Sequence, residues 1–250
     1  ITYGLEYHLN ALDDKVIAYD IRTQQSTNIF GGYFQSEWTS KLFNVLIGAR
    51  LDKHNLLENP VFVPRINFPY KPTTNLQVRA SSSSGYRAPQ AYEEDFHVTQ
   101  VGGLSLRTVL ADNLKPEYSN SFALSADYYC QIGDNWQGNI LLEGFYTILD
   151  DVFAIRELET DTLTQTLYQE RYNASGATIA GASITAKAAY KDLFTLSLGY
   201  TLQSSKYHQT EYWSDDESVE GTDFILKSPD DYGYLGIDLT AIDNLNINLS

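Results

Sequence analysis

The sequence predicts an all-β chain built as an antiparallel transmembrane β-barrel, and three observations predict it. Apolar and polar residues alternate with period two in segment after segment, as they must where one strand face meets lipid and the other a polar interior. No apolar run reaches the roughly 18 residues that a spanning helix needs. Short and long connections alternate along the chain without a break, as in a barrel with short turns on one side of the membrane and long loops on the other.

Composition narrows the function classes. A formal net charge of -15 disfavours nucleic acid as a partner, because phosphate binding needs clustered Lys and Arg. The single cysteine, Cys130, excludes an internal disulfide framework and most cysteine-based metal sites. The chain carries 19 Tyr, 11 Phe and 3 Trp, which suits strands with aromatic ends at membrane interfaces.

The clearest unit is a hairpin over residues 180–202 with a tight turn at Lys191 and Asp192. Its second strand sets Phe194, Leu196, Leu198, Tyr200 and Leu202 against Thr195, Ser197, Gly199, Thr201 and Gln203. Its first strand sets Ala182, Ile184, Ala186, Ala188 and Tyr190 against Gly181, Ser183, Thr185 and Lys187.

From the start of the chain, residues 2–11 set Tyr3, Leu5, Tyr7 and Leu9 against Gly4, Glu6, His8 and Asn10, and residues 12–25 read as a polar connection. A second strand spans 27–38, with Phe30, Phe34 and Trp38 opposite Tyr33, Gln35 and Glu37. A third spans 42–53, with Phe43, Val45, Ile47, Ala49 and Leu51 opposite Asn44, Leu46, Gly48, Arg50 and Asp52. The fourth, around Arg65 to Tyr70, is weakened by Pro64 and Pro69, which cannot donate to a ladder. The fifth sets Leu76, Val78 and Ala80 against Gln77, Arg79 and Ser81. Residues 85–115 form the longest irregular segment, of a length that is usually functional.

The sixth strand, 116–129, sets Phe122, Leu124, Ala126 and Tyr128 against Ser121, Ser125 and Asp127. The seventh starts at Trp136 and is expected to run on to about Arg156, loop near 159–162, and return through Tyr168, with a bulge at 173–176. An acidic loop covers 206–227. The tenth strand sets Leu235, Ile237 and Leu239 against Tyr234, Gly236 and Asp238, and the last, from Leu245, is short. Both ends fall inside strand-like runs, so the chain is expected to be part of a longer protein. Two rival readings of the pattern stay open: a passive porin-type barrel and a soluble β-sandwich.

Four runs carry a family resemblance: Pro64-Arg65-Ile66-Asn67, Leu76 to Ser81, Gly85-Tyr86-Arg87-Ala88-Pro89, and Asn113-Leu114-Lys115-Pro116-Glu117-Tyr118-Ser119. In order and spacing they resemble the barrel of TonB-dependent outer-membrane receptors, as do Phe145 to Val152 and Asn173 to Gly181. In that family the Gly-aromatic-Arg-Ala-Pro run ends an upward strand and the Asn-Leu-Lys-Pro-Glu run begins the next downward one. The resemblance implies a 22-stranded barrel filled by an N-terminal plug, of which this chain would be roughly the C-terminal half. It also implies residence in the bacterial outer membrane, a plug and the TonB complex as partners, and energised import of an iron chelate, haem, cobalamin or glycan.

Enzyme chemistry is not expected. Ser81 to Ser84 before Gly85 do not form a nucleophile elbow, and Glu93, Glu94 and Asp95 read as surface charge on a loop. The residues expected to touch a ligand are Arg87, Tyr92, His97, Arg107, His208, Tyr212 and Trp213. His97 lies in the interval where haem receptors of the resembled family place an axial histidine, and His208 is its candidate partner; haem enters only as transported ligand. The acidic outer face would disfavour a strongly anionic ligand unless Arg87, Arg107 or Arg171 offsets it. Asp215, Asp216, Glu217 and Glu220 gather several oxygens in one loop, which suits a hard cation such as calcium. No cofactor is required by these readings.

Overall fold

The computed structural model describes residues 1–17, 21–90, 105–161, 166–212, 220–225, 228–242 and 245–249. In chain order the strands are β1 (Thr2–Val16), β2 (Ile21–Thr39), β3 (Asn44–His54), β4 (Val61–Tyr70), β5 (Leu76–Arg87), β6 (Ser105–Leu110), β7 (Glu117–Ile132) and β8 (Trp136–Asp150). They continue as β9 (Phe153–Asp161), β10 (Thr166–Asn173), β11 (Ala177–Tyr190), β12 (Phe194–Glu211), β13 (Thr222–Phe224), β14 (Asp231–Ile242) and β15 (Leu245–Leu249).

Among the described residues one sheet follows the path β1-β2-β3-β4-β5-β7-β8-β11-β12-β14-β15, with β13 hung on β12. Every neighbouring pair on it is antiparallel. That is the expected set of ten strands plus a short last one.

The pairing register puts residues of one kind on one face all along this path. One row passes through Gly48, Arg65, Ser83, Ser121 and Thr147, and another through Gly199 and Tyr234. A slip of one residue in any pair would turn that strand's apolar set to the other face. The apolar face is the exposed one: Leu124, Leu142, Leu198 and Leu235 are 60%, 52%, 49% and 57% exposed. On the opposite face Ser125 and Thr201 are buried at 9% each. Among the described residues the buried apolar set is only Leu57, Val61, Ala88, Val152, Ala174 and Ala177. A soluble sandwich buries its apolar faces against each other; this sheet presents one to its surroundings, and only a lipid solvent makes that favourable.

Four short connections lie at one end of the sheet. They are residues 40–43, 71–75, 133–135 and 191–193, and the backbone takes positive φ at Gly133 (61°) and Lys191 (48°) to turn there. Each is stitched to a neighbour, as in Lys71 N to Leu42 O at 2.6 Å and Lys191 N to Asn135 O at 2.8 Å. Aromatic rings cluster at this end: Trp136 lies 5.0 Å from Tyr190 and 5.6 Å from Phe194, and Phe43 lies 5.9 Å from Phe68. This is the interfacial girdle expected where strands leave the bilayer.

At the other end four expectations are corrected. Residues 12–25 are not a loose connection. β1 and β2 stay paired from Leu12 with Gln25 to Val16 with Ile21, so the hairpin stands well beyond the roughly 10 residues a bilayer requires. Its outer part has no continuous apolar face, since Asp13, Lys15, Arg22 and Gln24 share one side and Leu12 and Val16 are separated by Asp14 on the other, so it lacks the alternation of a spanning strand. The run from Trp136 does not continue to Arg156 as one strand. It breaks at Asp151 (φ 53°), and β9 beyond the break joins a second sheet ordered β6-β10-β9, in which β10 pairs parallel with β6. Residues 173–176 are a strand end rather than a bulge: the chain leaves the second sheet and re-enters the first at Gly176, whose φ of 91° suits glycine. The long segment 85–115 likewise contains strand at both ends of its described part, Gly85 to Arg87 and β6. Pro64 and Pro69 do not prevent β4, which pairs with β3 and β5 on its two sides.

Candidate functional site

The loop end is laced together by side chains far apart in sequence. Arg87, the last residue of β5, lies opposite Glu117, the first of β7, and donates to its Oε2 at 3.0 Å. The same oxygen accepts the backbone N–H of Phe153 at 2.9 Å, which fixes the start of β9. The Phe153 ring lies between two guanidiniums, Arg87 at 4.7 Å and Arg171 at 5.7 Å. Arg171 in turn donates to Gln90 O at 2.7 Å, and Gln90 Oε1 accepts from Gln25 of the tall β1–β2 hairpin at 3.1 Å. Within the second sheet Gln169 donates to Thr108 at 2.7 Å, both side chains buried.

A second knot sits where β10 ends. Asn173 donates to Lys115 O at 3.0 Å and Asp151 O at 2.7 Å, and its Oδ1 accepts from Lys115 N at 2.8 Å. Glu211 at the top of β12 accepts from Ser175 N and from the Tyr172 hydroxyl. Burial, then the nearby Glu211 carboxylate, pushes the Tyr172 and Tyr207 phenols above their ordinary range. At the hairpin tip Arg22 grips Asp13 with Nε at 2.8 Å and Nη2 at 2.6 Å, and this fork holds the Asp13 carboxyl down at about 2.

The polar face of β1 to β5 carries a run of arginines. Arg50 donates to both oxygens of buried Asp52 at 2.7 and 2.8 Å and to Glu6 at 2.5 Å, while the Tyr86 hydroxyl donates to Asp52 at 3.2 Å. Arg65 on β4 and Arg79 on β5 form no hydrogen bond or ion pair among the described residues. They line an open cavity of about 600 Å³ that also takes in Arg50, Asn67, Ser81 and Ser83.

Of the residues expected to touch a ligand, Arg87 is the one placed in a structured cluster, bound to Glu117. His208 is exposed but engaged, its Nε2 3.0 Å from the Thr178 hydroxyl and its backbone N–H donating to Gly176 O. It ties β12 to β11. Tyr212 is 60% exposed at the end of β12, and Glu220 is exposed. Tyr92, His97, Trp213, Asp215, Asp216 and Glu217 lie outside the described residues, as does the side chain of Arg107. Among the described residues no group of three His, Cys, Asp or Glu side chains is placed to hold a metal ion. Arg171, one of the three arginines that could offset the acidic face, is 3% exposed and donates to Gln90 O. The Arg50, Arg65 and Arg79 run was not anticipated as a site. Its signal was present in the alternation, one arginine on the polar face of each of three successive strands.

The family described as TonB dependent receptor-like, beta-barrel matches residues 1–249. No curated protein matches the sequence. Among solved structures, the siderophore receptor PirA from Pseudomonas aeruginosa is 16% identical with a TM-score of 0.71, over 98% of this chain and 43% of that one. The ferric enterobactin receptor PfeA from Pseudomonas aeruginosa is 17% identical with a TM-score of 0.66, over 98% of this chain and 37% of that one. The copper transporter OprC is 12% identical with a TM-score of 0.61, over 95% of this chain and 38% of that one. The chain therefore spans less than half the length of these structures.

Proposed function

Because this chain belongs to the TonB-dependent receptor family through its β-barrel domain, we propose that it is the barrel part of an outer-membrane receptor that captures a ferric chelate at its loop end and imports it with energy delivered through TonB. The observation that carries the reading is the inverted sheet: its apolar face is exposed, four short turns lie at one end and laced loops at the other. On this reading the polar face lines a passage within lipid and the laced loops form a binding rim outside it, which is what capture and import need. Iron is the favoured cargo because PirA and PfeA are a siderophore receptor and a ferric enterobactin receptor. A plug filling the barrel, and the TonB complex pulling on it, are the partners this reading requires. The multi-pass barrel would sit in the outer membrane of a Gram-negative cell.

The test is uptake of radioactive iron by iron-starved cells carrying the full-length protein, with and without a functional TonB complex. Chelate-dependent accumulation that stops when TonB is removed is the expected result. Accumulation that continues without TonB points to a passive barrel and overturns the proposal.

A further inference from the structure

One histidine is sealed into the loop end by this chain's own residues. His54, the last residue of β3, is 1% exposed. A plug inside the barrel could deepen that burial but not relieve it. The lipid-side run of β3, through Val45, Ile47, Ala49 and Leu51, ends before Lys53, so His54 stands beyond the span. Its Nδ1 accepts the backbone N–H of Leu56 at 3.0 Å. That nitrogen therefore carries no proton, and the ring's one N–H is at Nε2. The bond opens residues 55–60, the connection from β3 to β4, and others continue it. His54 O accepts from Leu57 N at 3.1 Å, and Lys53 Nζ donates to Leu57 O and Glu58 O at 2.8 and 2.7 Å. Asn55 grips β2 at Ser26 and Asn28. Leu57, 7% exposed, packs with Val61 and Ala88, with Val63 and Tyr86 against them. Two residues past Ala88 lies Gln90, which bonds Gln25 and Arg171. The connection is thus one end of the lacing that joins the loops.

An imidazolium has a donor on both nitrogens and no acceptor. A proton on Nδ1 would meet the Leu56 N–H donor to donor, so the charged ring cannot keep this bond. Burial is the stronger influence on the ring and holds its pKa below the ordinary 6.5, while the nearby Asp52 carboxylate opposes it. Asp52 is already engaged on both oxygens, by Arg50 and by the Tyr86 hydroxyl of β5. β2 sets Ile29 opposite His54, and β1 brings His8 into the same row, paired with Glu6, which also binds Arg50. On the connection itself Glu58 is exposed. The contribution of the neutral ring is therefore complete above 6.5 and is lost as pH falls from there through the lower folded value. We propose that His54 is an acid-sensitive latch, which when neutral holds the 55–60 connection and the Ala88 segment behind Leu57 in place, and when protonated lets them go. Acid then loosens this part of the loop end while the spanning strands stay paired. The latch belongs to this chain whatever the cargo.

Hydrogen exchange on the full-length protein in detergent, at about pH 7.5 and about pH 5, tests the latch. Each amide is compared with an unstructured amide at the same pH, so that only protection is read. An imidazole of ordinary value that is free to titrate is ~30-fold more protonated than neutral at about pH 5. Protection of the Leu56 and Leu57 amides is therefore expected to fall by up to ~30-fold on acidification. Amides in the middle of β8, near Ile140 to Leu142, are expected to keep theirs. His54→Asn offers an acceptor oxygen close to the place of Nδ1 and does not titrate, so its protection is expected to be the same at both pH values. His54→Ala, with no acceptor, is expected to be poorly protected at both. His8→Gln removes the exposed histidine of the same row and is expected to keep the full response. Protection that is unchanged or higher in acid overturns the proposal, since Asp52 would then be stabilising the imidazolium. A response that persists in His54→Asn, or disappears in His8→Gln, overturns it too. So does an equal loss of protection in β8, which would be unfolding of the whole sheet rather than release of one connection.

Discussion

Glu117 is the residue on which the loop end turns, and removing it tests that arrangement. One carboxylate oxygen serves the Arg87 guanidinium and the Phe153 amide. The Glu117 side chain is 16% exposed and that of Arg87 is 44% exposed, so the ion pair is close to a surface pair, worth up to ~1 kcal/mol. The amide counts for more. Truncation to Ala leaves a partly buried N–H without its acceptor, at a cost of ~2 kcal/mol. Glu117→Ala should therefore weaken the β8–β9 junction by roughly 3 kcal/mol, and Glu117→Gln, which keeps an acceptor, by about 1 kcal/mol. Hydrogen exchange on the full-length protein in detergent reads this locally. At ~1.4 kcal/mol per decade, amides of β9 should exchange ~100-fold faster in the Ala variant and about fivefold faster in the Gln variant. Amides in the middle of β8, near Ile140 to Leu142, should not change. Unchanged β9 protection in Glu117→Ala would refute the anchoring role, and equal acceleration in both variants would refute the weight given to the amide.

The same geometry makes three further outcomes testable. Leu198→Arg, on the lipid face, should cost ~2–4 kcal/mol in urea unfolding from lipid vesicles, while Ser197→Arg, one residue away on the polar face, should cost far less; equal costs would contradict the face assignment. The Tyr234 ring lies over Gly199 on the neighbouring strand and leaves no room for a side chain there. Gly199→Val should destabilise by about 1–3 kcal/mol, and adding Tyr234→Ala should recover part of that loss in the same unfolding assay. At the hairpin tip, the folded-state value of Asp13 is about 2 against an ordinary 3.8, so its pairing with Arg22 is intact above the ordinary value and is lost as pH falls through about 2. Arg22→Gln should move the Asp13 carboxyl carbon titration back toward 3.8, and an unmoved titration would show that the fork does not exist in solution.

The faces of the spanning strands were legible in the sequence from end to end. Phe122, Leu124 and Tyr128 sort from Ser121, Ser125 and Asp127 by parity alone, and the observed register keeps every such set together across the sheet. The short turns were legible for a related reason, since each interrupts the alternation between two strands. The part that stands above the membrane was not. The outer halves of β1 and β2 have no continuous apolar side, so the period-two signal fades although the pairing continues. The break at Asp151 is a single backbone angle inside a run that reads as one strand.

The candidate site divides along the same line. Arg87 and Glu117 each stood in a recognisable motif, yet nothing local said that they meet, or that Phe153 and Arg171 join them from 36 and 54 positions beyond Glu117. Likewise Arg50, Arg65 and Arg79 were each assigned to the polar face, but how they stand to one another is set only by the register, which puts Val63 beside Arg50 and Pro69 beside Arg79. By itself, then, the sequence determined the fold class and which side of each strand meets lipid, because alternation along a strand is a property of consecutive residues. The tertiary structure decided the second sheet, the anchoring of the loops and the placement of the arginines, because each depends on which distant residues come opposite one another, and pairing between strands leaves no period in the chain.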